Sequence, residues 1–242
     1  MARVCVDSRY FNVNDTGQLT IKPGSVGYQT TLTVSYLAAL NFQIADYPGA
    51  AWVFVECIGG GGGGAGAQDT SGTTGIAQGG GSGGTYCASW LEAASLPAIV
   101  PVAGGDGGNG GVFNSGGADG DPSSFGSLVV APGGIGANVF MTASATTGTG
   151  EGAPSPASGT GQIRRQGQPG SPAIMASAFH KVGGNGGASG WPGAGGLGGT
   201  NNEGGGSGQF YAGGGGGGAA AFNGSQSGGS GGPGIVRISI YN

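Results

Sequence analysis

Few side chains in this sequence could do chemistry, and their spacing argues against a catalytic or metal-binding centre. His180 is the only histidine, so a site built from several imidazoles is excluded from this chain. No strand-elbow serine motif accompanies it, as a serine–histidine nucleophile would want. The three cysteines, Cys5, Cys57 and Cys87, form no CxxC and lie in apolar, strand-like stretches. An odd number so placed reads as buried free thiols rather than a disulfide framework or a zinc site. The four glutamates sit in unrelated contexts, with nothing to bring two carboxylates to one cleft as glycoside hydrolysis requires. Matches to G-x-G-x-x-G occur throughout, but so much glycine makes them by chance, and without a G-K-[ST] there is no phosphate-binding loop. The stretch 104–112, GGDGGNGGV, approaches a calcium-binding nonapeptide. However, Asn109 stands where the aspartate belongs, Gly111 replaces the large apolar residue, and the unit does not recur in tandem. Asp119 and Asp121 nearby read as a solvated turn. These residues point to a protein that is not an enzyme and takes no metal or cofactor.

Charge narrows the partners. The net charge is −4, the lysines are Lys22 and Lys181 alone, and Arg164–Arg165 is the one basic pair. Sequence-independent nucleic-acid binding needs clustered cations to neutralise phosphates, so nucleic acid is not an expected partner. Met1 to Asp7 contains no long apolar stretch of the signal-peptide kind. No apolar run approaches the ~20 residues of a membrane-spanning helix. Synthesis in a cytoplasm, without a signal peptide, is the expectation.

What must hold such a chain together is backbone. Glycine supplies 64 of 242 residues, while charged residues are 7% and hydrophobic ones 37%. Disordered chains are charge-rich and apolar-poor, so the composition implies an ordered protein made mostly of glycine. Ordering a glycine costs roughly 0.5–1 kcal/mol more than ordering an alanine, hence about 30–60 kcal/mol over the whole set. With no side chains to bury there, dense backbone-to-backbone hydrogen bonding has to offset it.

The apolar residues gather in strand-like runs near both ends. Residues 1–47 read as a β-rich attachment module. Short strand signals occur at Val4–Val6, Tyr10–Val13 and Gln18–Ile21, with a longer alternating run at Thr30–Tyr36. Leu37–Ile44 reads as a continuation of that strand. Residues 48–242 read as a glycine-rich domain. It opens with the apolar run 51–58, suited to a strand buried on both faces, and closes with the alternating strand 234–241, its expected partner. Between them glycine recurs with period three at Gly105, Gly108 and Gly111, and from Gly184 through Gly187, Gly190, Gly193 and Gly196 to Gly199. Polyproline II-type helices have three residues per turn, and only glycine fits where they crowd. The fold class is therefore mainly β with little helix: an N-terminal β module, then short strands and packed polyglycine helices. Collagen is excluded because the period breaks repeatedly.

Four segments in order carry a family resemblance. Val53–Ile58 runs into six glycines; Gly83-Gly84-Thr85-Tyr86-Cys87-Ala88 follows; then come Pro122-Ser123-Ser124-Phe125-Gly126 through Pro132-Gly133-Gly134, and the closing Gly232-Pro233-Gly234-Ile235-Val236-Arg237-Ile238. Together they resemble the glycine-rich domain of phage tail and tail-fibre proteins, of the polyglycine-helix adhesin type, over residues 48–242. Gly17-Gln18-Leu19-Thr20-Ile21 resembles a tail-attachment segment. The resemblance implies a virion tail component, often trimeric, near the host-facing end. It implies tail or virion proteins as partners at the N-terminal module, and a surface receptor or glycan touched by connecting loops. The island Val139–Val182, rich in proline and serine, matches no familiar motif. Candidate contact residues are the tract-borne aromatics Trp191, Phe210, Tyr211 and Phe222, with Asn201, Asn202 and Glu203 beside them; the alternative is that the aromatics fill gaps between helices or subunits. Two other functions stay open: a purely architectural virion part without a receptor, and ice binding, for which the irregular non-glycine positions of 184–200 are poorly suited.

Overall fold

The structure, a computed structural model, describes residues 11–13, 19–21, 27–35, 39–191, 193–209 and 215–242. It is mainly β, its only helices being the 3-10 turns Ile44–Asp46 and Ala93–Ser95 among the described residues. The signals at Val4–Val6 and the turns around Asn14 and Pro23 lie outside the described residues. Phe11–Val13 and Leu19–Ile21 form an antiparallel pair.

Two antiparallel sheets close one end of the molecule. The larger has the order Ile163–Arg165, Tyr86–Glu92, Trp52–Ile58, Ile235–Tyr241, Tyr28–Ser35. The smaller has the order Val129–Ala131, Ser123–Phe125, Val100–Ala103, Ala39–Phe42. Strand alternation sends Val53, Val55 and Cys57, and across the ladder Val236, Ile238 and Ile240, to the inner face. There they meet Phe42, Val100, Val102, Phe125 and Val129 from the smaller sheet. The apolar run at 51–58 is explained by this position: its inner residues enter the core, while Phe54 and Ile58 pack with Tyr86, Ala88 and Ile235 on the outer face.

The closing strand Ile235–Tyr241 lies between Trp52–Ile58 and Tyr28–Ser35, so strands from both sides of residue 47 share one sheet. Ala39–Phe42 does not prolong the preceding strand. It joins the smaller sheet through Val100–Ala103, and a 3-10 turn follows at Ile44–Asp46. An apolar–polar alternation specifies a strand but not which sheet receives it.

Cys57 and Cys87 are register partners on adjacent strands, both free and buried. Burial pushes both thiols above their ordinary range, and the neighbouring Cys87 pushes Cys57 further. Both are expected to resist iodoacetamide in the folded protein and to react once denaturant is added, read by peptide mass spectrometry.

Beyond the sheets the glycine tracts run side by side as a lattice. Tract 59–66 shows its rule. Gly59, Gly62 and Ala65 donate their N–H to Thr85, Ser82 and Gly79; Gly60, Gly63 and Gly66 donate to Asp121, Ala118 and Ser115; Gly61 and Gly64 donate to Gly232 and Gly229. Each third residue thus returns to the same neighbour, the signature of three residues per turn. The carbonyls of the same tract accept from three further tracts, through Gly108 and Gly111, Gly134 and Ala137, and Gly216 and Ala219. Tracts 78–85 and 215–219 are enclosed in the same way and bond to 59–66 and to each other. Around these three inner tracts run 104–111, 115–121, 132–138, 151–157, 166–171, 183–190, 193–199, 203–209 and 227–234, a hexagonal packing with its bonds running sideways.

Glycine is required here by space rather than by backbone angle. Positive φ occurs at Gly27, Gly49, Gly72, Gly126, Gly159 and Gly161, all outside these tracts. Within them a Cβ would strike a neighbour's backbone. At Gly105, Gly108 and Gly111 it would meet the carbonyls of Asp121, Ala118 and Ser115 at 2.0–2.1 Å. These three glycines therefore all face one adjacent tract, while Gly184 and Gly187 face 166–171 and Gly196 and Gly199 face 203–209. The run 184–199 folds as two antiparallel tracts joined at Trp191, since Gly183, Gly186 and Ser189 bond back to Gly199, Gly196 and Gly193. The island 139–182 supplies two outer tracts, 151–157 and 166–171, attached through Ala153 to Gly80 and through Gly170 to Ala153. Proline suits such outer positions: its fixed φ belongs to this helix, and at the exposed Pro154 and Pro169 the missing N–H costs nothing on a side facing water.

Candidate functional site

The lattice separates two ends. A tract of eight residues at ~3.1 Å rise spans about 25 Å, with the sheets at one end and a cap of connecting loops at the other. The loops are tied down by polar contacts. Gln78, fully buried, donates to the Met141 carbonyl at 2.9 Å and accepts from the N–H groups of Phe140 and Met141 at 3.2 Å. Asn114 pairs with the Gln68 backbone as a strand would, accepting at 2.7 Å and donating at 3.1 Å. Ala67–Asp69 pairs with Gly224–Gln226 and Ile76–Ala77 with Ala220–Ala221, while Gly148–Gly150, Ala173–Ser177 and His180–Val182 form a three-stranded sheet. A small core of Ala67, Ile76, Met141, Met175, Ala219 and Ala221 lies beneath.

On this support stand exposed apolar side chains: Val112 and Phe113 in one loop, Val139 and Phe140 in the next, and Ile174 and Phe179 on the strand and turn of the hairpin 173–182. Phe113 is 56% exposed and holds φ at 53°, a left-handed conformation that costs a non-glycine residue roughly 1–2 kcal/mol. The turn around it is closed by Ser115, whose N–H and hydroxyl donate to the Val112 carbonyl at 3.1 and 2.7 Å and whose Oγ accepts from Val112 N at 3.0 Å, so the ring is held outward. An adjacent apolar pair in a connection that follows a glycine tract, as in Gly111-Val112-Phe113-Asn114-Ser115-Gly116, is the sequence signal for the first two of these loops, and composition alone passes over it.

The candidate contact residues divide between the ends. Asn201, Asn202 and Glu203 form a tight connection in the loop cap: Asn201 donates its N–H to the Lys181 carbonyl, Asn202 Oδ1 accepts from Phe222 N, and Glu203 accepts from the Thr200 N–H and hydroxyl. Those bonds from Thr200 lower the Glu203 pKa. Phe222 is half-buried, 4.9 Å from Phe179 and beneath the ammonium of buried Lys181 at 5.1 Å. Trp191 lies at the sheet end, stacked on Tyr86 at 5.0 Å. Phe210 and Tyr211 lie outside the described residues. His180 Nδ1 lies 3.2 Å from Ser177 Oγ, but that hydroxyl accepts from the N–H groups of Phe179 and His180, the work of a hairpin turn.

Asp69 anchors the 67–77 loop. Burial would raise its carboxyl, but the Ser71 N–H and the Ser71 and Thr74 hydroxyls donate to it at 2.8–3.0 Å and bring it below the usual range. A lowered folded pKa gives stability that is present above the ordinary value and lost as pH falls through the folded one. Loosening of this loop is therefore expected below about pH 4, seen as faster amide exchange at residues 70–75. Asp69→Asn should loosen it already at neutral pH and flatten the pH dependence.

No group of three or more His, Cys, Asp or Glu side chains with metal-holding geometry occurs among the described residues. A comparison with curated proteins finds no match. The period-three lattice, the strand that opens it and the strand that closes it all fall within residues 38–241, the stretch matched by the glycine-rich domain model, and the chain belongs to that family.

Proposed function

We propose that the chain is a rigid structural part of a virus particle, at a tail tip or fibre, whose loop cap contacts a host surface. The observation that carries this reading is the exposed Phe113, with Phe140 and Phe179 likewise exposed on other segments of the cap, presented on well-anchored loops about 25 Å from the sheets. Rigid support lowers the entropy lost on binding, and aromatic side chains are the usual contact anchors. In this reading other virion proteins or further copies of the chain join along the sheet edge formed by Tyr28–Ser35, which leaves the outer face of the larger sheet open. A host surface protein or glycan is the partner at the cap.

The triple variant Phe113→Ser, Phe140→Ser, Phe179→Ser tests it. Labelled wild-type protein is expected to bind a susceptible bacterial strain saturably, and the variant at least about tenfold more weakly with the melting temperature unchanged. Absence of saturable binding across a broad strain panel by folded wild-type protein would overturn adhesion in favour of a purely architectural part.

A further inference from the structure

The outer face of the larger sheet carries a cavity at the end opposite the loop cap. Its volume is about 270 Å³, and Thr33, Glu56, Ile58, Tyr86, Trp191, Ile235 and Arg237 line it. These residues converge by register: Thr33, Arg237 and Glu56 are direct partners across three neighbouring strands, and Ile235, Ile58 and Tyr86 form the next row. Trp191, in the turn between two lattice tracts, stacks on Tyr86 with centroids 5.0 Å apart and planes 30° apart. Its backbone is pinned by Ser189 Oγ, which donates to the Trp191 carbonyl. The result is one aromatic wall, an aliphatic floor and a polar side.

The polar side is charge-balanced. Glu56 is 8% exposed and accepts from Arg237 Nε and Nη2 at 2.6 and 2.5 Å, while its other oxygen accepts from the Tyr86 hydroxyl at 3.0 Å. Burial, and then the bond to Glu56, keep the Tyr86 phenol protonated by raising its pKa. Arg237 is half-exposed, and of its five N–H donors Glu56 takes two. The lining therefore offers fixed donors, a carboxylate edge and a threonine hydroxyl with no net charge of its own, while Arg165, the register partner of Tyr86, adds a cation beside it. A cationic ligand would find Glu56 already paired, and Arg237, its charge balanced by Glu56, keeps three N–H donors for a ligand oxygen.

We infer that this cavity binds an uncharged, hydroxylated ring, a single pyranose of a neutral glycan, with one ring face on Trp191 and its hydroxyls on Arg237, Glu56 and Thr33. The volume lies just under the ~300–1,000 Å³ typical of drug-sized ligands, which suits one ring. Flat aromatic walls with a few placed polar groups are the common construction of such sites. Further along the same face, Trp90 lies four residues from Tyr86 on one strand, about 14 Å away, and packs on Phe54 and Tyr241. Trp90 and Trp52 are each 42% exposed, so a longer neutral glycan has a surface on which to continue.

The test is titration of the full chain with methyl glycosides of uncharged hexoses and N-acetylhexosamines and with their oligomers, followed by tryptophan emission and saturation-transfer NMR. Methyl glucuronide is the charged comparator. Saturable binding of at least one neutral sugar is expected, weaker by about tenfold or more in Trp191→Ala and unchanged in Leu197→Ala, at an exposed residue outside both the cavity and the cap aromatics. Thr33→Val, nearly equal in shape, gives the same readout should Trp191→Ala fail to fold. No saturable response to any neutral sugar would overturn the proposal, as would preference for the glucuronide or binding that survives both cavity variants. Self-association that quenches Trp191 without sugar would also overturn it, by assigning the face to an interface between copies.

Discussion

Gly62→Ala is expected to cost the fold about 3–5 kcal/mol, from overpacking and the hydrogen bonds it breaks. Gly62 lies in an inner tract, and a Cβ there would sit 2.2 Å from the Ile135 carbonyl oxygen and 2.3 Å from its carbon. That obstacle is backbone, not a side chain that can rotate away. The Ile135 carbonyl already accepts from Ser82 N at 2.9 Å, Gly62 N donates to the Ser82 carbonyl, and the Gly62 carbonyl accepts from Gly216. Any shift that relieves the clash therefore breaks bonds to several tracts at once. For a chain of this length the melting temperature should fall by about 6–20 °C. Gly224→Ala is the control. Its nearest neighbours to a new Cβ are 3.9 and 4.0 Å away, and stiffening the unfolded chain should leave stability unchanged or raise it by up to about 1 kcal/mol. Equal effects at the two positions would show that alanine acts through backbone preference, not space.

Phe125→Ala is expected to be comparably damaging at the other end. Phe125 is fully buried between the two sheets, edge-on to Phe42 at 5.4 Å, and Phe42 stacks on Tyr47 at 5.5 Å. Emptying that position removes buried aromatic surface and leaves a cavity, together about 3–5 kcal/mol. A double-mutant cycle with Phe42→Ala should recover about 0.5–1.5 kcal/mol of coupling from the ring pair. Urea denaturation of the four proteins measures it, and zero coupling would mean that the rings pack independently.

These two sites also show which parts of the structure can be read from sequence. Trp52–Ile58 and Ile235–Tyr241 are legible because side chains define them: the first has apolar residues on both faces, the second alternates, and each pattern states a degree of burial. Period-three glycine is legible for the same reason in reverse, since a recurring absence of Cβ marks a crowded face. The identity of the neighbour is not legible. Gly62 and Gly108 carry no side chain, so inner and outer tracts look alike, and backbone register alone assigns their partners. The turn at Trp191 is hidden by the spacing itself, because the glycines after it resume in phase with those before. Proline in 151–157 and 166–171 reads as an irregular island although it fits outer lattice positions. Of the candidate contact residues, Asn201, Asn202, Glu203 and Phe222 gather in the loop cap while Trp191 joins Tyr86 at the far end, a division set by the antiparallel course of 183–190 and 193–199. Phe113 escapes a reading by tract because it stands between tracts.

The central claim is that the glycine tracts form an ordered, bonded lattice that carries the loops. Amide hydrogen exchange resolved to individual peptides tests it most directly, because exchange reports local opening free energy. Residues 60–65, 79–84 and 215–219 are expected to exchange as slowly as Val53–Cys57 in the sheet core, with faster exchange in the loops at 70–75 and 112–115. Exchange of the three inner tracts at the speed of an unfolded chain, while the sheet core stays protected, would contradict the account.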